Sequence, residues 1–123
     1  PALDDMLLLA KKPNIKGIVW IQGEADAING QEASYATRLQ TFVDRCNDEL
    51  FHKDPEIIIT SLSSYDDSAG DTIRSAQTTV AGNNDNVTLL DTSTYTLQGD
   101  GIHYTADAFE EMATDVYNLL YSE

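Results

Sequence analysis

The chain alternates short apolar runs with longer segments in which apolar residues recur every three or four positions. The short runs are rich in β-branched residues, which is typical of buried strands, and they cover residues 18–21, 56–62 and 87–90. The one-sided stripes predict amphipathic helices over 1–12, 31–50 and 72–81 and from about residue 106 onwards. Because a helix separates every pair of strands, this order predicts parallel strands joined by crossover helices.

The second and the last of these helices have the clearest patterns. The second presents one apolar stripe to the sheet, made of Tyr35, Leu39, Phe42, Val43, Cys46 and Leu50. The last has Thr105 as its N-cap and a stripe made of Phe109, Met112, Ala113, Val116, Leu119 and Leu120. We therefore expect an α/β fold with about three parallel strands, which is a small sheet for this class.

Composition limits the classes of partner. With 123 residues, of which 41% are hydrophobic, the chain is expected to form one globular domain over 1–123. The formal net charge of −14 repels phosphate backbones and anionic membranes, so we expect neither nucleic acid nor membrane as a partner. The single cysteine excludes an internal disulfide and leaves the compartment open.

Polar side chains follow each predicted strand. In a parallel sheet the carboxyl ends of the strands meet on one rim, where ligands bind. Gln22, Gly23 and Glu24 follow the first strand, 61–64 the second and 91–103 the third. Asp100 and His103 are three residues apart across a glycine-containing turn. This spacing lets the carboxylate reach the imidazole Nδ1 and leaves Nε2 free to accept a proton.

A base of this kind needs a nucleophile and donors for an oxyanion. The amide of Gln22 and the backbone N–H groups near Gly23 are suitable donors, and glycine lets a substrate approach the main chain. We expect Glu24 to orient Gln22 or the substrate, or to pair with Arg74.

Several of these segments resemble one enzyme family. Trp20-Ile-Gln-Gly-Glu24, with Asp26 two residues further on, resembles the third conserved block of the carbohydrate-esterase branch of the SGNH hydrolases, the acetylxylan esterase and sialate O-acetylesterase group. Residues 73–77 resemble the Arg-x-x-Gln helix of that group, which contributes Arg74 and Gln77 here. Asp91 resembles its aspartate after the last strand, and 100–103 resemble its final Asp-x-x-His block.

The resemblance implies a flavodoxin-like three-layer α/β/α fold and hydrolysis of an O-acetyl ester on a carbohydrate. It implies that His103 is the general base, Asp100 its orienting carboxylate and Gln22 an oxyanion-hole donor. Arg74 and Gln77 would be structural support. No metal site and no organic cofactor is expected.

The chain departs from the family in one respect. The family carries its nucleophilic serine in a Gly-Asp-Ser-like or Gly-Gln-Ser-like block after an N-terminal strand, and no such block occurs here. The serines at 61, 63, 64, 68, 75 and 93 lie in other contexts. We therefore expect the C-terminal part of the fold, without the first two strands. The free edge of strand 18–21 is then expected to pair with a second copy, giving a homo-oligomer, or with a missing N-terminal segment.

Two alternatives remain open. A degenerate relative that lost the nucleophile would be a carbohydrate-binding or interaction module instead of an esterase. Arg74 and Gln77, one helical turn apart, would either stabilise the surface of their helix or tie it to the Glu24 loop. Secretion or a periplasmic location rests on family analogy alone.

Overall fold

The computed structural model describes residues 17–49, 55–63 and 68–121. The elements in chain order are β1 (Gly17–Trp20), α1 (Glu24–Ile28), a 3-10 turn (Glu32–Ser34), α2 (Tyr35–Glu49), β2 (Glu56–Thr60), α3 (Ser68–Gly82), β3 (Val87–Leu90) and α4 (Ala106–Tyr121). The helix predicted over 1–12 lies outside the described residues. None of the described helices is both long and apolar enough to cross a membrane.

The three strands form one parallel sheet in the order β1-β2-β3, which confirms the predicted α/β architecture. Ile18 is aligned with Ile57, and Ile57 with Val87, so one row of apolar residues crosses the sheet. Within the described part of the chain, β1 is an edge strand. All three carboxyl ends lie on the same rim because the strands are parallel.

The main core lies between one face of the sheet and helices α2 and α3. The row that contains Ile57 and Ile59 packs against Val43 and Cys46 of α2 and against Ile73 of α3, and these five side chains are fully buried. The predicted stripe of α2 is confirmed wherever its residues are described. Burial of these side chains holds α3, and the residues it carries, against the strand ends.

Helix α4 covers the opposite face. An added Cβ on Gly17 would lie 2.8 Å from Leu120 Cδ2, so the glycine allows α4 to approach β1 closely. Ala108 and Met112 are buried, and Thr105 caps the helix as predicted by accepting the Ala108 N–H at 3.3 Å. Much of the predicted apolar stripe is nevertheless exposed, including Phe109 and Leu119. Three strands make too narrow a surface to cover it.

Some boundaries differ from the prediction, each through a specific contact. Residues 24–28, expected as a connection, form α1, which ends where Gly30 takes a positive φ of 67°. The predicted helix over 31–50 therefore divides into the 3-10 turn and α2. Strand β2 ends at Thr60 instead of Leu62, because the Leu62 N–H donates to the side chain of Gln77. Helix α3 begins at Ser68, four residues earlier than expected.

Candidate active site

The loops that leave the three strands are tied together at the rim. The Thr60 hydroxyl donates to the carbonyl of Trp20 at 3.3 Å, which links β2 to β1. The Ser61 N–H donates to the carbonyl of Leu90 at 2.8 Å, which links β2 to β3. Neighbouring strands are about 4.8 Å apart, so the ends of β1 and β3 lie roughly 10 Å from each other.

Asp100 and His103 make the contact that their spacing predicts. His103 Nδ1 lies 2.6 Å from Asp100 Oδ2, while Asp100 Oδ1 accepts the backbone N–H groups of Ile102 and His103, both at 3.0 Å. Gly101, with φ of 69°, makes the turn that brings the carboxylate back to the imidazole. The histidine side chain is 72% exposed, so its Nε2 is accessible from the rim.

The charges around this pair set its protonation. The hydrogen bond from His103, followed by the two backbone N–H groups, lowers the pKa of Asp100 to about 2. The bond to Asp100 and the negative charge of Asp100 raise the pKa of His103 above that of a free histidine, and the Glu24 carboxylate adds to this effect. Glu24 follows β1, so its field at His103 joins the first loop electrostatically to the third.

A buried polar network holds the loop that carries His103. The Thr92 hydroxyl donates to the Ser61 carbonyl at 2.8 Å and accepts from the Tyr104 hydroxyl at 2.7 Å. The Thr92 N–H donates to Ser61 Oγ at 2.9 Å. Tyr104 directly follows His103 and is itself buried. Sequence reasoning missed Thr92 and Tyr104, since nothing local predicts a contact across 31 residues between Ser61 and Thr92.

Gln77 of α3 connects the segments that follow β1 and β2. Its side chain is fully buried, and its Oε1 accepts the Leu62 N–H at 2.7 Å. Its Nε2 lies within hydrogen-bonding distance of three acceptors: the carbonyls of Gln22 and Thr60, both at 3.2 Å, and the Tyr35 hydroxyl at 3.3 Å. Of the two alternatives for this residue, the structure supports the tie to the loop after β1. The alternative, that Gln77 stabilises the surface of its helix, is wrong because its side chain is fully buried.

Arg74 is placed differently from its neighbour. Its guanidinium donates to the carbonyl of Ser63 at 2.7 Å and to Asp71 at 2.7 Å. These contacts fix the segment after β2 to α3. The arginine therefore supports the rim from the side of β2.

The loop after β1 is fixed at both its main chain and its side chains. The Gln22 carbonyl accepts from the Tyr35 hydroxyl at 2.8 Å as well as from Gln77. The Gln22 side-chain amide donates to Asp26, which is also paired with Arg38. Orientation of Gln22 was one of the three roles expected for Glu24, and the described contact of the Gln22 amide is made with Asp26 instead. Gln22 precedes the N-cap residue of α1, and Asp26 lies in the first turn of that helix.

Gly23 lies between this loop and the core. An added Cβ would lie 3.1 Å from Ile73 Cγ2 and 3.1 Å from Leu62 Cδ1, which is too close for a side chain without movement of its neighbours. Glycine is therefore required for close packing against α3, in addition to any contact between its N–H and a substrate.

The two described serines that follow β2 are buried. Ser61 is bound to Thr92, and Ser63 is fully buried. Their burial leaves neither hydroxyl open to a bound substrate, whereas Ser93 in the loop after β3 is exposed. The described residues hold no group of three or more side chains arranged to bind a metal ion.

Comparison with known proteins relates the chain to a family and to solved structures. The family model for "Carbohydrate esterase, sialic acid-specific acetylesterase" matches residues 2–121. No curated protein matches the chain significantly. Among solved structures, the chain is similar to an X-ray structure of a protein from Arabidopsis thaliana, with a TM-score of 0.78 and 22% identity. It is also similar to the salicylyl-acyltransferase SsfX3 from a tetracycline biosynthetic pathway, with a TM-score of 0.66 and 17% identity.

Coverage is unequal in both structural comparisons. The match covers 89% of this chain and 45% of the Arabidopsis chain. For the acyltransferase the shares are 92% and 39%. The chain thus spans less than half the length of these structures, and at this identity they establish the fold alone. The match of the family model extends over nearly all of the sequence, and the chain therefore belongs to the carbohydrate esterase family of sialic acid-specific acetylesterases.

Proposed function

We propose that this chain carries the acid–base and oxyanion-binding half of an esterase that removes O-acetyl groups from carbohydrates. The observation that carries the proposal is the contact between Asp100 and His103 in the segment after β3, on the rim where Gln22 follows β1. Asp100 keeps Nδ1 protonated, so Nε2 of the neutral imidazole is the acceptor. The family supplies the substrate class.

The reaction follows from this arrangement in two acyl-transfer steps. His103 Nε2 takes the proton from a serine hydroxyl as its oxygen attacks the acetyl carbonyl, and Gln22 with the N–H groups near Gly23 stabilises the oxyanion. His103 then gives the proton to the departing sugar oxygen, leaving an acetyl-serine. Water, deprotonated by His103, attacks that ester, and acetate leaves as the serine hydroxyl is restored.

The serine comes, in this proposal, from a segment beyond these 123 residues that adds to the free edge of β1. Val19 of β1 and Ile21, which directly follows the strand, are 37% and 47% exposed. On α4 the exposed apolar residues include Phe109, Tyr117 and Leu119. A strand beside β1 and a helix beside α4 would cover both groups at once. Such a strand would end on the same rim as Gln22.

An acetate-release assay tests this proposal. The chain alone and the full product of its coding sequence are each incubated with 4-nitrophenyl acetate and with an O-acetylated sialic acid. We expect turnover from the full product and none from the chain. His103→Ala should abolish turnover in the full product, whereas His52→Ala, which changes the other histidine of the sequence, is the matched control.

Each of the remaining outcomes would contradict one part of the proposed function. Turnover by the isolated chain that requires His103 would retain the esterase and refute an external serine. Inactivity of both forms, combined with binding of the acetylated sugar, would favour the binding module. A stable dilute monomer of the chain in light scattering would contradict self-association, whereas a dimer that buries β1 would make a second copy the occupant of the edge.

A further inference from the structure

Asp26 is an almost buried carboxylate whose two oxygens have different partners. The residue is 8% exposed and lies on α1, four positions after Gln22. Its Oδ2 accepts from the Gln22 side-chain nitrogen, and its Oδ1 accepts from the guanidinium of Arg38 on α2. A carboxylate in this position needs both partners, because burial of an unpaired charge is costly.

The contact determines the polarity of the Gln22 carboxamide. An ionised carboxylate has no proton to donate, so the amide nitrogen must face Asp26 and the amide oxygen must point away. One of the two N–H bonds is used by Asp26. The second has no protein acceptor among the described residues, which leaves it for a ligand. The main chain of Gln22 is fixed separately by Tyr35 and Gln77.

Arg38 offsets the charge that this arrangement brings near the rim. A lone carboxylate close to a developing oxyanion would oppose catalysis, because like charges repel strongly where water is excluded. Arg38 is half exposed and also donates to the carbonyl of Gln31 at 3.3 Å. The Nη2 atom that pairs with Asp26 makes this bond as well, and Nη1 donates to the Gln31 side-chain oxygen at 3.5 Å, so these contacts hold the guanidinium beside Asp26.

We propose that Asp26 is a positioning residue that acts through Gln22, and that Arg38 neutralises it. This inference rests on the proposed function, because it concerns the donor that binds the oxyanion. Asp26 does not touch the substrate. It holds the Gln22 nitrogen in place before the substrate binds, which is the condition under which an oxyanion donor lowers a barrier.

Side-chain NMR tests the contact without any need for turnover. In the ¹⁵N-labelled chain, the Gln22 amide signals are assigned by their loss in Gln22→Ala. Asp26→Asn keeps the shape but replaces one acceptor oxygen by an NH2 group, so Arg38 and Gln22 no longer each face an oxygen. We expect the Gln22 amide signals to shift and to exchange faster with water. Asp26→Glu keeps both acceptor oxygens and should shift them less.

A second pair provides the control. Gln40 donates to Asp44 at 2.8 Å with the same four-residue spacing on the exposed surface of α2. Asp44→Asn should therefore move the Gln40 signals and leave those of Gln22 in place. Unchanged Gln22 signals in Asp26→Asn would overturn the inference.

Kinetics of the full product then separate this inference from the proposed function. We expect Asp26→Asn to lower kcat roughly tenfold to a hundredfold, less than the loss of an oxyanion donor itself, with KM changed by no more than about twofold. In Gln22→Ala, further removal of the Asp26 carboxylate should have little additional effect, since the two act as one unit. Shifted Gln22 signals with an unchanged kcat in Gln22→Ala would refute Gln22 as the oxyanion donor.

Discussion

Replacement of Gln77 by leucine tests how the rim is held. The change removes four contacts of a fully buried side chain: the bond accepted from the Leu62 N–H and the donated bonds to Gln22, Thr60 and Tyr35. The Leu62 N–H is then unpaired in the interior, at a cost of about 1–3 kcal/mol. The carbonyl of Gln22 still accepts a hydrogen bond from the Tyr35 hydroxyl, so the loss of its bond to Gln77 costs less free energy.

The magnitude follows from these contributions. The amide has two N–H bonds to share among its three acceptors, and these contribute about 1 kcal/mol each in net stability, whereas a leucine beside Leu62 and Ile73 regains about 1 kcal/mol of apolar burial. We therefore expect Gln77→Leu to lower the free energy of unfolding by about 2–4 kcal/mol. For a chain of this length that corresponds to a fall in Tm of roughly 10–20 °C.

Urea unfolding monitored by the fluorescence of the single tryptophan measures this directly, because Trp20 lies at the end of β1. The matched control is Gln40→Leu, which changes a helical glutamine whose partners are the exposed Asp44 and the partly buried Asn84. Its effect should stay within about 0.5–1 kcal/mol. Equal destabilisation by the two substitutions would refute the role of Gln77 in connecting the segments that follow β1 and β2.

Three further predictions concern the site. Because the proposed hydrolysis requires neutral His103, whose pKa is raised, the acid limb of kcat/KM should lie above the pKa of a free histidine, and Asp100→Asn should move it to lower pH. An acid limb that does not move in Asp100→Asn would refute proton transfer by the Asp100–His103 pair. Thr92→Val should cost about 1–3 kcal/mol in urea unfolding by leaving the Tyr104 hydroxyl without its acceptor, and an unchanged midpoint would contradict this. Gly23→Ala should destabilise by about 1–3 kcal/mol, because its methyl would lie 3.1 Å from two side chains; calorimetry measures the shift in Tm, and a stabilised variant would show that the contact relaxes.

The α/β class and the Asp100–His103 contact were predictable because each depends on short-range information. Strand and helix periods are local, and a three-residue spacing across Gly101 leaves few ways to place a carboxylate beside an imidazole. The helix expected over 31–50 failed at its start for a local reason as well. The acidic first turn of α1 and the turn at Gly30 favour a separate short helix.

The sequence by itself therefore determined the parallel sheet with its crossover helices and the contact between Asp100 and His103. Only the tertiary structure decided which side chains hold the site. Gln77 reaches Gln22 across 55 residues and Thr92 reaches Ser61 across 31. Asp26 is selected over Glu24 as the partner of Gln22, and much of the α4 stripe remains exposed. These outcomes depend on which elements pack together, and no pattern within a single element contains that information.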